Sequence, residues 1–128
     1  MQEPIFSNPY GYILQHESTI PWVKIFSTNP YKELSDCDPK TREFLFTCMD
    51  TCERAMIEFY KPEKINIAIF GNYLPHVHIH VMARFKEDSH FPEPMWGELQ
   101  RESTLKLPLF EDFLILLKSR LKPLVDFL

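Results

Sequence analysis

The sequence predicts an α+β fold: an antiparallel sheet of about five strands, one long helix packed on its apolar face, and a second helix near the C-terminal end. Three observations carry that reading. Apolar side chains between residues 39 and 60 recur at three- and four-residue steps. Residues 65–70 and 76–85 alternate in twos. Two short aromatic and apolar runs, 10–14 and 22–26, precede the helix.

In chain order, Tyr10 to Leu14 is the first strand candidate, with a single glycine. Trp22-Val23-Lys24-Ile25-Phe26 alternates loosely between Pro21 and the Ser27-Thr28-Asn29-Pro30 turn cluster. Asp38-Pro39 reads as a helix N-cap followed by proline at the first helical position, where a missing N–H breaks no bond. Phe44, Leu45, Cys48, Met49, Cys52, Ala55, Met56 and Phe59 then form one apolar face from about Pro39 to Tyr60, and Lys61-Pro62 stops the helix. Lys40, Arg42, Asp50, Glu53, Arg54 and Glu58 lie on the opposite, solvated face.

After the helix the period changes to two. Ile65, Ile67 and Ile69 share one side of a strand; Asn66, Ala68 and Phe70 share the other. A turn around Gly71-Asn72 leads to a strand from His76 to Phe85. Lys86 to Gly97 is polar, holds Pro92 and Pro94, and reads as a loop. The last amphipathic helix runs from about Leu109 to Lys122, with Phe110, Phe113, Leu114, Leu117 and Leu121 on one face. Nothing in the chain repeats, and no linker is long enough to separate domains.

At 128 residues the chain is one domain that can bury a core without a disulfide or a metal staple. Eleven Phe, five Tyr and two Trp promise a well-filled core or a stacking surface, and eleven Pro against three Gly suggest stiff connections. A net charge of −4 argues against broad electrostatic binding of nucleic acid, while leaving room for one small phosphate ligand in a local site. Three cysteines form no paired framework, and Met1-Gln2-Glu3-Pro4 lacks the basic start of a signal peptide. The longest apolar run, Phe113 to Leu117, is too short for a membrane span. The expectation is a cytoplasmic protein with no membrane partner.

The chemistry is concentrated in His76-Val77-His78-Ile79-His80-Val81-Met82. On a strand, Val77, Ile79 and Val81 make an apolar stripe, while His76, His78 and His80 form a row on the other face, about 6.6 Å apart. Solubility does not ask for three imidazoles there. One reading is a zinc site built on His-x-His, but His76 and His80 would lie about 13 Å apart and could not share an ion. His16, His90 and the cysteines are unplaced candidates for a further ligand. The other reading is a phosphate site. Neutral imidazole is nucleophilic near pH 7, provided one ring nitrogen is free and an acceptor holds the other as N–H. Flanking imidazoles then donate to non-bridging oxygens, where transition-state charge builds.

This seven-residue pattern of histidine alternating with apolar residues resembles the signature of the histidine triad (HIT) superfamily of nucleotide hydrolases and transferases, and all seven positions match. The context, Gly71-Asn72-Tyr73-Leu74-Pro75 before it and Ala83-Arg84-Phe85 after it, looks like a bacterial branch similar to diadenosine polyphosphate hydrolases. Asp88 to Gly97 resembles that branch's proline-tryptophan loop, and Pro21-Trp22 its early strand. The resemblance covers about residues 5–97, leaving 105–128 as a helical extension of the same domain.

The resemblance implies that His78 is the nucleophile that takes a nucleotidyl group from the α-phosphate of a dinucleoside polyphosphate or nucleoside phosphoramidate. His76 and His80 would orient it and contact phosphate or leaving group. Asn72, where many members carry Gln, could donate to a phosphate oxygen. Asn66 falls where the family places an amide near phosphate or ribose, Glu17 near an acidic ribose-binding position, and Arg84 on the basic residue that closes the motif. No metal ligand and no cofactor are required from the protein, though a divalent cation could accompany the substrate. A homodimer with one joined sheet is implied.

Other readings stand beside these. Asn66 and Asn72 could serve turns, Arg84 a solvated strand end, and Trp96 either packing or a lid over a base. His16 and His90 read as surface or loop residues, although His90 could serve a ligand pocket. Cys48 and Cys52 read as core. The alternative at the level of function is a nucleotide-binding or regulatory protein with negligible turnover.

Overall fold

The computed structural model describes residues 2–124 and has the predicted architecture. Its strands are β1 (Phe6–Ser7), β2 (Gly11–Gln15), β3 (Trp22–Ser27), β4 (Lys64–Ala68) and β5 (His78–Arg84). They form one antiparallel sheet in the order β1-β2-β3-β5-β4. Helix α1 (Pro39–Tyr60) crosses its apolar face, and α2 (Phe110–Leu121) packs on α1.

Sheet alternation divides the side chains. Ile13, Val23, Ile25, Ile79, Val81 and Ala83 point to the helix side and are fully buried against Phe44, Leu45, Cys48, Cys52 and Met56 of α1. Burial pushes the Cys48 thiol up, and that of Cys52 up to about 12, so both act as small apolar core residues. Gly11 permits the closest approach: a Cβ there would lie 2.5 Å from the Phe26 carbonyl oxygen and 2.7 Å from the Phe44 ring.

Helix α1 has the predicted bounds. Asp38 takes the extended N-cap conformation before Pro39, and Lys61 ends the helix in the left-handed region (φ 48°), donating its N–H to the Ile57 carbonyl ahead of Pro62. The C-terminal helix is part of the core, since Phe113, Leu117 and Leu121 are fully buried. Of its predicted bounds, Leu109 and Lys122 flank the helix as caps.

Strand β1 was not expected, and the strands expected over 65–70 and from His76 have shifted ends. Strand β1 pairs Phe6 with Ile13 across an Asn8-Pro9 turn, where Asn8 Oδ1 accepts the N–H groups of Tyr10 and Gly11. The strand expected over 65–70 ends at Ala68, before Gly71 (φ 80°) turns the chain. The strand expected from His76 begins at His78. The Val77 N–H donates to the Tyr31 carbonyl rather than to a ladder partner, and the last ladder pair is Phe26 with His78. The three histidines are therefore not one row. His78 and His80 stand on β5, and His76 belongs to the turn before it.

Among the described residues no helix is long and apolar enough to cross a membrane.

Candidate active site

The face of the sheet opposite α1 carries the site. Register places Phe26 beside His78 and Lys24 beside His80, so the even-numbered residues of β3 and β5 share that face. They open into a cavity of about 560 Å³. The loop from Phe70 to Leu74 forms one wall, Trp96 another, and His16 closes the end beyond Trp22.

Each histidine is held by a different partner. His78 Nδ1 lies 2.8 Å from the His76 carbonyl oxygen. A carbonyl can only accept, so Nδ1 carries the proton and, in the neutral ring, Nε2 keeps a free lone pair. Phe26 stacks on this imidazole at 4.6 Å between centroids and 17° between planes, which fixes its orientation. Tyr12 stacks on Phe26 in turn, at 5.3 Å.

His80 has the opposite tautomer. The Trp22 indole Nε1–H donates to its Nδ1 at 3.0 Å, and an indole N–H cannot accept. The His80 proton is therefore on Nε2. Burial pushes this imidazole down to about 4, and His78, Lys24 and His16 add to the shift, so near neutral pH it is an uncharged donor. The rings of His78 and His80 are 4.9 Å apart. His76 reaches sideways, its Nε2–H donating to the Ser27 carbonyl at 2.6 Å, with its ring edge-to-face against Phe26 at 5.2 Å between centroids.

Asn72 lines the cavity from the turn, as does Tyr73, whose side chain is fully exposed. Glu17 is exposed on the β2–β3 connection next to His16 and is not part of the lining. His16 packs against Trp22 at 4.0 Å between ring centroids, tilted by 33°, which places it at the site rather than on an unrelated surface. Burial, then Lys24, lowers its pKa. His90 bonds Ser89 through Nδ1 and does not line the cavity.

Arg84 and Asn66 lie behind this cavity. The Arg84 side chain is 1% exposed and forms a two-point ion pair with the fully buried Asp88, at 2.9 and 3.0 Å. It also donates to Asn66 Oδ1 at 2.8 Å and to the Glu93 carbonyl at 2.7 Å. Asp88 accepts the N–H groups of Phe85, His90 and Phe91. Burial alone would raise its carboxyl, but Arg84 and these donors hold it at about 2. The network anchors the loop that delivers Trp96, whose ring meets His80, Trp22 and Phe70 edge to face at 4.8–5.2 Å. Asn66 lines a second cavity of about 320 Å³ beneath Trp96 and Phe70.

Sequence reasoning did not single out Lys24. The signal was its place between Trp22 and Phe26 on an alternating strand, which became legible once β3 was known to pair with β5. Among the described residues no cluster of three or more His, Cys, Asp or Glu side chains is arranged to hold a metal ion.

A family model described as the HIT domain matches residues 6–87. No curated protein gives a significant match. Among solved structures, a histidine triad protein from Bradyrhizobium japonicum is 27% identical, over 93% of this chain and 90% of its own, with a TM-score of 0.77. A histidine triad protein from Sinorhizobium meliloti is 24% identical over 93% and 89%, with a TM-score of 0.74, and one from Marinobacter aquaeolei 22% identical over 98% and 89%, with a TM-score of 0.70. The latter two bear on the fold alone. The HIT model spans well over half of the chain and contains its complete run from His76 to Met82, so the protein belongs to the HIT domain family.

Proposed function

We propose that the protein is a nucleotide hydrolase or nucleotidyl transferase that works through a covalent nucleotidyl-His78 intermediate. The observation that supports this most directly is the His78 Nδ1–H bond to the His76 carbonyl, which leaves Nε2 as a lone-pair donor within an aromatic cavity. In the first step Nε2 attacks the α-phosphorus. The bond from phosphorus to the leaving oxygen or nitrogen breaks, and the leaving group takes the electron pair and then a proton. In the second, water attacks the same phosphorus and loses a proton to solvent, the phosphorus–Nε2 bond breaks with its electron pair returning to Nε2, and nucleoside monophosphate leaves with His78 restored.

The remaining residues take supporting parts. His80, donating through Nε2–H, stabilises the charge on the non-bridging oxygens, and Asn72 adds its amide from the turn. His76 acts through its backbone, holding the nucleophile by its carbonyl, while its own ring is engaged by the Ser27 carbonyl outside the cavity lining. Arg84 and Asn66 act at one remove from phosphate, by fixing the loop that carries Trp96. The substrates are dinucleoside polyphosphates or nucleoside phosphoramidates, the compartment is the cytoplasm, and the working unit is a homodimer. The protein supplies no metal ligand, and a divalent cation can enter with the substrate.

Turnover of adenosine phosphoramidate and diadenosine tetraphosphate, with EDTA present, tests the reading. AMP release by the wild type that is lost in His78→Asn supports it. Release that persists in the variant rejects His78 as nucleophile. AMP binding without release from either substrate turns the reading to a nucleotide-binding protein.

A further inference from the structure

We infer that Lys24 is the charge-selecting residue of this site, and that it directs the site toward nucleotides whose leaving group carries further phosphates, rather than toward uncharged leaving groups. The inference rests on the nucleotide reading of the site and adds the substrate class.

The argument starts from which cations the cavity holds. Arg84, the basic residue of the motif, is shut away with its donors engaged by Asp88, Asn66 and the Glu93 carbonyl. His80 accepts a proton only near pH 4, and His16 is also lowered. No Arg, Asp or Glu lines the cavity, and Lys24 is its one lysine among the described residues. Near neutral pH the lining therefore carries a full positive charge at Lys24 with no carboxylate opposing it.

Lys24 is also placed to act on the reacting group. Its backbone pairs with His80 in the β3–β5 ladder, and its side chain shares a face with His78 and His80. Its Nζ lies 5.9 Å from the centroid of Phe26, the ring that stacks on His78. None of the ion pairs among the described residues involves Lys24. A partly buried lysine that belongs to none of these ion pairs, set between aromatic walls, is a strong donor to phosphate oxygen. The chain's net charge of −4 gives no general attraction to anions, so discrimination by charge falls to this local group.

The test compares AMP with ATP by calorimetric titration of the wild type, Lys24→Met and Lys24→Arg, each verified by a cooperative melt. The wild type should bind ATP about tenfold more tightly than AMP, Lys24→Met should abolish that preference, and Lys24→Arg should retain most of it. Rising salt should weaken ATP more than AMP in the wild type, a readout that depends on no variant. An unchanged ATP preference in Lys24→Met overturns the inference while leaving the nucleotide site standing. So does a wild type that binds both nucleotides equally. A wild type that binds neither nucleotide overturns the nucleotide reading and this inference with it.

Discussion

The indole Nε1–H of Trp22 donates to Nδ1 of His80 at 3.0 Å, across the β3–β5 ladder. One hydrogen bond thereby sets a tautomer. His80 must present Nε2–H to the cavity, whereas His78, bonded to a carbonyl through Nδ1, must present a bare Nε2. Two imidazoles two residues apart on one strand are given opposite tautomers by partners that can each play only one part.

Trp22→Phe keeps an aromatic wall and removes the N–H. His80 Nδ1 then loses the donor that occupies its lone pair, and protonation there becomes easier. Nitrogen-15 NMR of the histidine rings should show His80 as the neutral Nε2–H tautomer in the wild type from pH 7 down to near 5. In Trp22→Phe it should show mixed tautomers and a higher titration midpoint. Identical His80 titrations in the two proteins would exclude the indole as the tautomer-setting group.

His78→Asn should fold as the wild type does, because the imidazole contributes a stack on Phe26 and one bond to a backbone carbonyl. Hydrolysis should fall by several orders of magnitude, about a millionfold where a nucleophile is removed from an otherwise intact site. Brief incubation of the wild type with substrate labelled in the adenosine, followed by alkaline quench, should leave label on the protein. The variant should carry none.

Acid should destabilise the protein in two windows. His80 falls from 6.5 to about 4 on folding, so between those values the unfolded chain binds a proton that the folded chain refuses, and stability drops as pH descends through that range. Asp88 falls from 3.8 to about 2, which has the same sign, and its contribution is lost as pH descends from about 4 toward 2. The melting temperature measured from pH 7 to pH 3 should decline already between 6.5 and 4.5. In His80→Asn that first decline should shrink, while the one below pH 4 remains.

Much of this arrangement was legible in the sequence, and what was not has physical reasons. Helix α1 was readable to its ends because its apolar period is sustained over many turns and both boundaries carry proline. Strand β1 has two residues, too few for any period to show. The displacement of His76 from the strand depends on the Tyr31 carbonyl, forty-six positions earlier, capturing the Val77 N–H, and no local pattern encodes such a partner. The basic residue after the motif was readable, but its burial was not, because Asp88 looked like one more polar loop residue until it closed on Arg84.

That closure has a measurable cost when broken. Asp88→Asn leaves the Arg84 guanidinium buried without its counter-charge and should cost about 3–5 kcal/mol of stability. Before global unfolding, the loop that carries Trp96 should loosen, with a red shift of tryptophan emission as Trp96 and Trp22 gain water. Arg84→Lys, which keeps the charge and loses the two-point geometry, should show a smaller effect in the same direction.

The sheet has an edge that invites a partner. Among the described residues strand β4 is paired on one side only, by β5, and Ile67 on it and Ile69 just past its end are 38% and 39% exposed. An edge strand with open N–H and C=O groups and apolar flanks tends to pair with another chain. Phe46 and Ile57 on α1 are also exposed, which adds apolar surface for a partner to cover. In a homodimer joined along β4, sedimentation of the wild type at micromolar concentration should give twice the chain mass. Ile67→Lys places a charge on the edge and should shift the equilibrium toward single chains without unfolding them, because Ile67 is already partly in water. A wild type that sediments as a single chain at every concentration would mean that the β4 edge is left unpaired in solution and that each cavity works alone.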